Sequence, residues 1–293
     1  MSIMPFYMQG VSIYEFSVED NKMKKLLAAL LSLVLLCSVC SLAACSNKDE
    51  ELEGAITNYT ETTTFEVKDS YGRILGTVSY KAKGTDYAII TGYAPRISGL
   101  HSITIPEILP GSGRTVVEIG DEAFSACTTL VSVTLPATVE AIGNWSFSLC
   151  TSLYQVNLPA NVETIGKGAF VGCEALTNVN FAKEKSLLTE IGDYAFNGCS
   201  SISDITLPEG VTVLGEGVFF ECSALKTATL PESLTAVGRT AFAACDLLET
   251  LNLGSNIESL GEYAFGTLAS DKPEVLVYKA GSTTDKTINK IVE

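Results

Sequence analysis

From Ile119 onward the chain repeats itself at a fixed interval. "IGDEAFSACTTLVSVTLPATVEA" fills residues 119–141, and "IGNWSFSLCTSLYQVNLPANVET" follows directly. The phenylalanines Phe124, Phe147, Phe170, Phe196, Phe219, Phe242 and Phe265 mark steps of 23 residues, except the third, which is 26. A unit this short cannot enclose a core of its own. It must bury its apolar face against its neighbours, so the period commits the chain to a stacked repeat architecture.

Within the first unit the apolar positions are Ile119, Ala123, Phe124, Cys127, Leu130, Val133, Leu135 and Val139. The alternation in "SVTLP" predicts a short strand with Val133 and Leu135 inward and Ser132 and Thr134 outward. "EAFSAC" is too short for a free helix and is expected to form one tight helical turn facing the core. Pro136 has no N–H for a ladder and should end the strand. Gly143, at the position of Gly120, is expected to permit the turn back. Stacking sets each strand about 4.8 Å from its copy and each phenylalanine above another. A buried phenylalanine contributes about 1.5–3 kcal/mol over an exposed one, so the column should be the spine of the fold. The three extra residues near "FAKEKSLLTE" are expected to loop out at one edge and leave that column in register, with Phe181 in the place of the usual leucine.

The unit I-G-x-x-A-F-x-x-C-x-x-L-x-x-V-x-L-P resembles the BspA-like class of leucine-rich repeat over roughly residues 85–278. The resemblance implies a right-handed solenoid of short parallel strands, here with short helical turns and a β-rich N-terminal cap. It also implies binding or adhesion rather than catalysis, in surface proteins of host-associated bacteria and some protists. The unit departs from the general leucine-rich pattern in carrying proline where an asparagine ladder would stand.

Residues 23–45, "MKKLLAALLSLVLLCSVCSLAAC", have a positive start at Lys24 and Lys25 and an apolar stretch suited to a signal peptide. "LAAC" resembles a bacterial lipobox, which implies cleavage before Cys45 and lipid on its sulfur. A membrane-spanning anchor is the competing reading, since the apolar run is about long enough. The small residues before Cys45 and the polar "SNKDEELEG" after it favour the lipobox. Met23 is expected to be the natural start, because residues 1–22 lack signal character. The expected placement is therefore export and lipid anchoring to the bacterial envelope, exposed at the surface.

Lys and Arg number 19 against 34 Asp and Glu, a net charge of −15. Residues 1–44 carry three of each sign, so cleavage leaves that balance unchanged. Such a chain repels phosphate backbones, which argues against nucleic acid, and it is not drawn to an anionic membrane surface without its lipid.

Of nine cysteines, Cys37 and Cys40 lie in the signal and Cys45 is the lipid site. The remaining Cys127, Cys150, Cys173, Cys199, Cys222 and Cys245 hold one position in six successive units. Stacked one strand spacing apart, their Cβ atoms would lie about 4.8 Å from each other, beyond the usual disulfide range of about 3.5–4.5 Å. They are expected to be small buried hydrophobes. No C-x-x-C pair or histidine partner follows Cys45, so no metal site and no cofactor are expected.

The chain divides into 1–44 (upstream residues and signal), 45–61 (lipidated cysteine and acidic tether), 62–118 (β-rich cap and degenerate first repeat), 119–268 (repeat array) and 269–293 (C-terminal cap and tail). Runs broken at "DSYG" and "KGTD" predict the strands of the cap, "LHSITIPEIL" a first strand unit, and "PEVLVYKAG" a last strand.

Few residues of the chain are suited to catalysis. His101, the one histidine, is expected on the solvated outer side of the first strand unit, without the nucleophile and acid that a catalytic role needs. "GSGR" at 111–114 is a loop, not a phosphate cradle. Not an enzyme is the expected reading. Two surfaces are candidates for binding. The outward strand positions, Gln155, Asn157, Asn178, Asn180 and Asp204 among them, form a ladder of amides and hydroxyls that is either plain solvated sheet or a contact face. The position before each A-F pair holds Trp145, Tyr194 and Tyr263 but Glu122, Gly168, Gly217 and Thr240 elsewhere, so these rings are either interface aromatics or packing across the turn. The expected function is a lipid-anchored adhesin whose solenoid binds a host protein or another cell. The alternative is an accessory protein that binds or processes envelope glycan.

Overall fold

A computed structural model describes residues 63–182 and 185–266 and the backbone of 276–279, all within one compact unit, Tyr59–Glu293. Cys45, the signal segment, the tether and most of residues 269–293 lie outside the described residues.

The cap is an antiparallel meander of β1 (Thr63–Lys68), β2 (Ile74–Lys83) and β3 (Tyr87–Pro95). The free edge of β3 then pairs in parallel with β5 (Thr115–Ile119). From there the "x-I-G" of every unit adds a two-residue parallel strand: β7 (Ala141–Ile142), β9 (Thr164–Ile165), β11 (Glu190–Ile191), β13 (Val213–Leu214), β15 (Ala236–Val237) and β17 (Ser259–Leu260). Cap and array thus share one continuous ten-stranded sheet.

A second wall carries the strands that the alternation predicts. β4 (His101–Thr104), β6 (Leu130–Thr134), β8 (Gln155–Asn157) and β10 (Asn178–Asn180) form one parallel sheet. β12 (Asp204–Thr206), β14 (Thr227–Thr229), β16 (Thr250–Leu253) and β18 (Leu276–Lys279) form another. The wall breaks between β10 and β12, where the 26-residue unit falls.

The third wall corrects the expected helical turn. No helix occurs among the described residues. "EAFSAC" is instead a chain of reverse turns in which alternate amides serve two different partners. The N–H groups of Glu122, Phe124 and Ala126 donate to Asn144, Ser146 and Ser148 of the next unit at 2.9, 2.7 and 2.7 Å. Those of Ala123, Ser125 and Cys127 donate three residues back within the unit. The alternation requires left-handed backbone at two positions per unit, Glu122 and Ala126 with φ of 57° in the first. A helical turn would aim its amides along its own axis, whereas the turn chain aims alternate amides at the neighbouring unit and completes a ladder along the stack.

Inside the three walls the phenylalanine column stands in register. Neighbouring ring centroids lie 5.0 Å apart at Phe124–Phe147 and 5.9 Å at Phe242–Phe265, with all six pairs stacked. The three-residue insertion leaves Phe170 and Phe196 at 5.2 Å, as expected. Each stacked pair adds about 0.5–1.5 kcal/mol to its burial.

The six array cysteines are buried and free. Each thiol from Cys150 onward donates to the carbonyl of the preceding unit's phenylalanine, Cys150 to Phe124 at 3.0 Å and Cys173 to Phe147 at 3.1 Å. Burial pushes the Cys173 thiol up to about 12 from its ordinary 9.0. A thiol whose folded value is raised stays protonated in the fold while the unfolded chain ionises. Its contribution is complete below about pH 9 and is lost as pH rises toward 12. The unfolding midpoint in urea is therefore expected to fall between pH 9 and pH 11, and native protein at pH 8 should resist iodoacetamide that labels all six thiols in urea. Ready labelling of the native array would contradict the burial of this column.

Gly143 is needed for a reason other than turning. Its φ is not left-handed, but a Cβ there would lie 2.6 Å from both Asp121 N and Gly120 C of the unit before. The residue is glycine because two backbones touch.

Candidate binding surface

The second wall places its outward side chains in rows along the stack. Asn180 Nδ2 donates to Asn157 Oδ1 at 2.7 Å, Ser132 Oγ to Ser102 Oγ at 2.8 Å and Asn252 Nδ2 to Thr229 Oγ1 at 3.1 Å. Asn157, Asn178, Asn180 and Asp204 are exposed and Gln155 is half-buried. Asparagine thus does form rungs in this protein, between strand faces and also on the turn wall. There Asn144 N donates to Asp121 Oδ1, Lys167 N to Asn144 Oδ1 and Glu216 N to Asp193 Oδ1, at 2.7, 2.8 and 2.9 Å.

The eight candidates from the sequence fall on two different walls. Gln155, Asn157, Asn178, Asn180 and Asp204 lie on the strand wall, whereas Trp145, Tyr194 and Tyr263 lie on the turn wall. All three aromatics have left-handed backbone, with φ of 56°, 57° and 57°. Their alternation with glycine has a steric cause. A Cβ on Gly168 would lie 2.5 Å from the Trp145 ring, and one on Gly217 would lie 2.5 Å from the Tyr194 ring. Each ring therefore lies over the glycine of the following unit. The Tyr194 hydroxyl also donates to Glu216 Oε1 at 2.6 Å, and Lys167 Nζ stands 5.9 Å from the ring centroid. Burial, with the Glu216 carboxylate beside it, holds that phenol well above its ordinary range. Tyr263, in the last described unit, is 50% exposed.

His101 is not solvated, contrary to the sequence expectation. It is buried, with Nδ1 2.9 Å from Gly99 O and Nε2 2.8 Å from the Tyr93 hydroxyl. Its role is to fasten β4 to cap strand β3. Among the described residues no group of three or more His, Cys, Asp or Glu is arranged to hold a metal ion.

The feature that sequence reasoning missed lies at the break in the second wall. Between β10 and β12 a cleft of about 660 Å³ opens, lined by Asn178, Asn180, Phe181, Asp204, Thr206 and Glu209 among others. The equivalents of Val179 in adjoining units, Val156 and Ile205, are 1% and 2% exposed. Val179 and Phe181 are only half-buried. The signal was present in the 26-residue step. Its consequence was not, because the insertion spares the phenylalanine column and parts only the strands.

Comparison with known proteins agrees with this geometry. A family model described as the BspA type leucine rich repeat region matches in six copies, over residues 90–187 and 149–271. A crystal structure of a T. pallidum leucine-rich repeat protein is similar at 29% identity and a TM-score of 0.59, over 73% of this chain and 92% of that one. A leucine-rich cell surface protein from Faecalibacterium prausnitzii A2-165 is similar at 31% identity and a TM-score of 0.60, over 71% of this chain and 54% of that one. A leucine-rich repeat protein from Bacteroides ovatus is similar at 27% identity and 0.57, over 71% and 61%. This chain thus spans little more than half the length of the second and third. No curated protein sequence matches.

Proposed function

The chain belongs to the BspA-type leucine-rich repeat family, and from that premise we propose that it is a lipid-anchored surface protein whose array binds a protein on a host matrix or another cell. One observation carries the reading. The residues that recur in every unit point inward or bond along the stack, while the outward positions differ from unit to unit. That division suits a display scaffold with a fixed interior and a variable face. Leucine-rich repeat solenoids are in general binding scaffolds without catalytic activity, and the F. prausnitzii relative is described as a cell surface protein.

The signal-like segment ending at Cys45 supplies the route outward and the anchor. Cys45→Ser is expected to release the protein from the membrane fraction or to leave an uncleaved precursor. An unmodified N-terminus upstream of Cys45 on the native protein would remove the anchor from this reading. For the binding role, the full chain in detergent is expected to bind an immobilised matrix protein saturably. Retention on a glycan array with no protein bound would assign the array to envelope glycan instead.

A further inference from the structure

Resting on that reading of the array as a protein-binding scaffold, we propose that the cleft between β10 and β12 is its peptide site, and that it takes an extended basic segment by strand addition. At intact junctions of the second wall the backbones bond directly, as in Thr177 N to Tyr154 O and Lys226 N to Ser203 O on one side, and Leu158 N to Asn180 O and Leu207 N to Thr229 O on the other. The corresponding bonds at this junction, Ser203 N to Thr177 O and Phe181 N to Thr206 O, are not made. β10 pairs only with β8, and β12 only with β14. Two strand edges therefore face one cleft, each with main-chain donors and acceptors that its own neighbour would otherwise take. Edge strands of this kind are templates for another chain.

The occupant follows from the lining. Only a polypeptide offers N–H and C=O groups at the strand repeat of about 3.3 Å that such edges match. Half-buried Val179 and Phe181 present apolar surface inside the cleft, which suits apolar side chains on alternate residues. Among the described residues Asp204 and Glu209 are the charged side chains lining the cleft, and neither is ion-paired there. A segment alternating apolar with Lys or Arg residues satisfies edge, floor and charge together. The volume, about 660 Å³, lies within the usual range of about 300–1,000 Å³ for ligand sites.

The test titrates the full chain with a capped, labelled hexapeptide of alternating Lys and Val, read by fluorescence anisotropy. The Asp204 side chain is exposed and, among the described residues, its carboxylate accepts only from its neighbour Ser203 Oγ, so Asp204→Lys should fold. It is expected to weaken binding at least tenfold. Glu249→Lys, the same charge change on the same wall away from the cleft, should stay within twofold. Methylating alternate backbone nitrogens of the hexapeptide removes its ladder donors and should also weaken binding at least tenfold. Equal weakening by both protein variants would reduce the site to bulk charge, and undiminished binding of the methylated peptide would overturn strand addition. If the hexapeptide does not bind while the immobilised matrix protein still does, the cleft proposal alone falls. If the hexapeptide binds as expected and no protein does, the cleft stands and the adhesive reading falls.

Discussion

Phe196→Ala is expected to cost about 3–5 kcal/mol of stability, the usual range for emptying a buried phenylalanine site. The ring is fully buried, with Phe170 at 5.2 Å on one side and Phe219 at 5.5 Å on the other. Neither neighbour can move into the space without leaving its own place, since each is held by turn-wall bonds to the next unit. Phe265→Ala removes the same atoms from a different setting. Phe265 is 6% exposed and stacks on Phe242 alone among the described rings, at 5.9 Å. A terminal unit can relax around the loss, so its cost should be clearly smaller. Urea titration of both variants decides the matter, and equal midpoints would contradict the column as the spine.

The second large effect comes from adding a single methyl group. Gly143→Ala places a carbon 2.6 Å from two backbone atoms of the preceding unit, and backbone cannot rotate aside as a side chain can. The units must part, at the expense of the bonds Gly143 N to Ile119 O and Asn144 N to Asp121 Oδ1, both 2.7 Å. The loss is expected near the top of the overpacking range, about 3 kcal/mol or more. Gly172→Ala is the instructive comparison. Its φ is 68°, which disfavours a side chain, but the nearest atom is the movable Leu149 Cδ2 at 2.9 Å. A cost of about 1 kcal/mol is expected there. Were the two variants to melt together, conformational preference rather than contact between backbones would explain both glycines.

The repeat letters made the core legible. Val133 and Leu135 point inward, Pro136 follows the strand, and the phenylalanines stack, because a fixed period leaves burial only one solution. Three things were not legible. The "x-I-G" segment is a second strand in each unit, too short at two residues to show alternation. The "EAFSAC" segment has helical spacing in its side chains but turn-ladder bonding in its backbone, and side-chain periodicity does not report where amides point. Trp145 and Tyr194 varied from unit to unit, which left interface aromatics and packing across the turn both open. They prove to alternate with Gly168 and Gly217 because a ring and a Cβ compete for one volume. The strand-wall candidates Asn178, Asn180 and Asp204 were found by their outward phase, and the structure brings them to one cleft that no periodic argument could place.

The break between β10 and β12 also bears on how the array comes apart. Units in a stack are coupled only to their neighbours, so the whole behaves as a linear chain of links whose cooperativity is set by the weakest of them. Every other junction from β6 to β16 is bonded on three walls, while this one is bonded on two, the ten-stranded sheet and the turn ladder. The array therefore has a grain. Under thermal or mechanical stress that link, with one wall fewer, is expected to give first, although the ten-stranded sheet and the phenylalanine column run through it unbroken. The insertion that parts the strands thus leaves the array with one junction held by fewer bonds than those on either side of it.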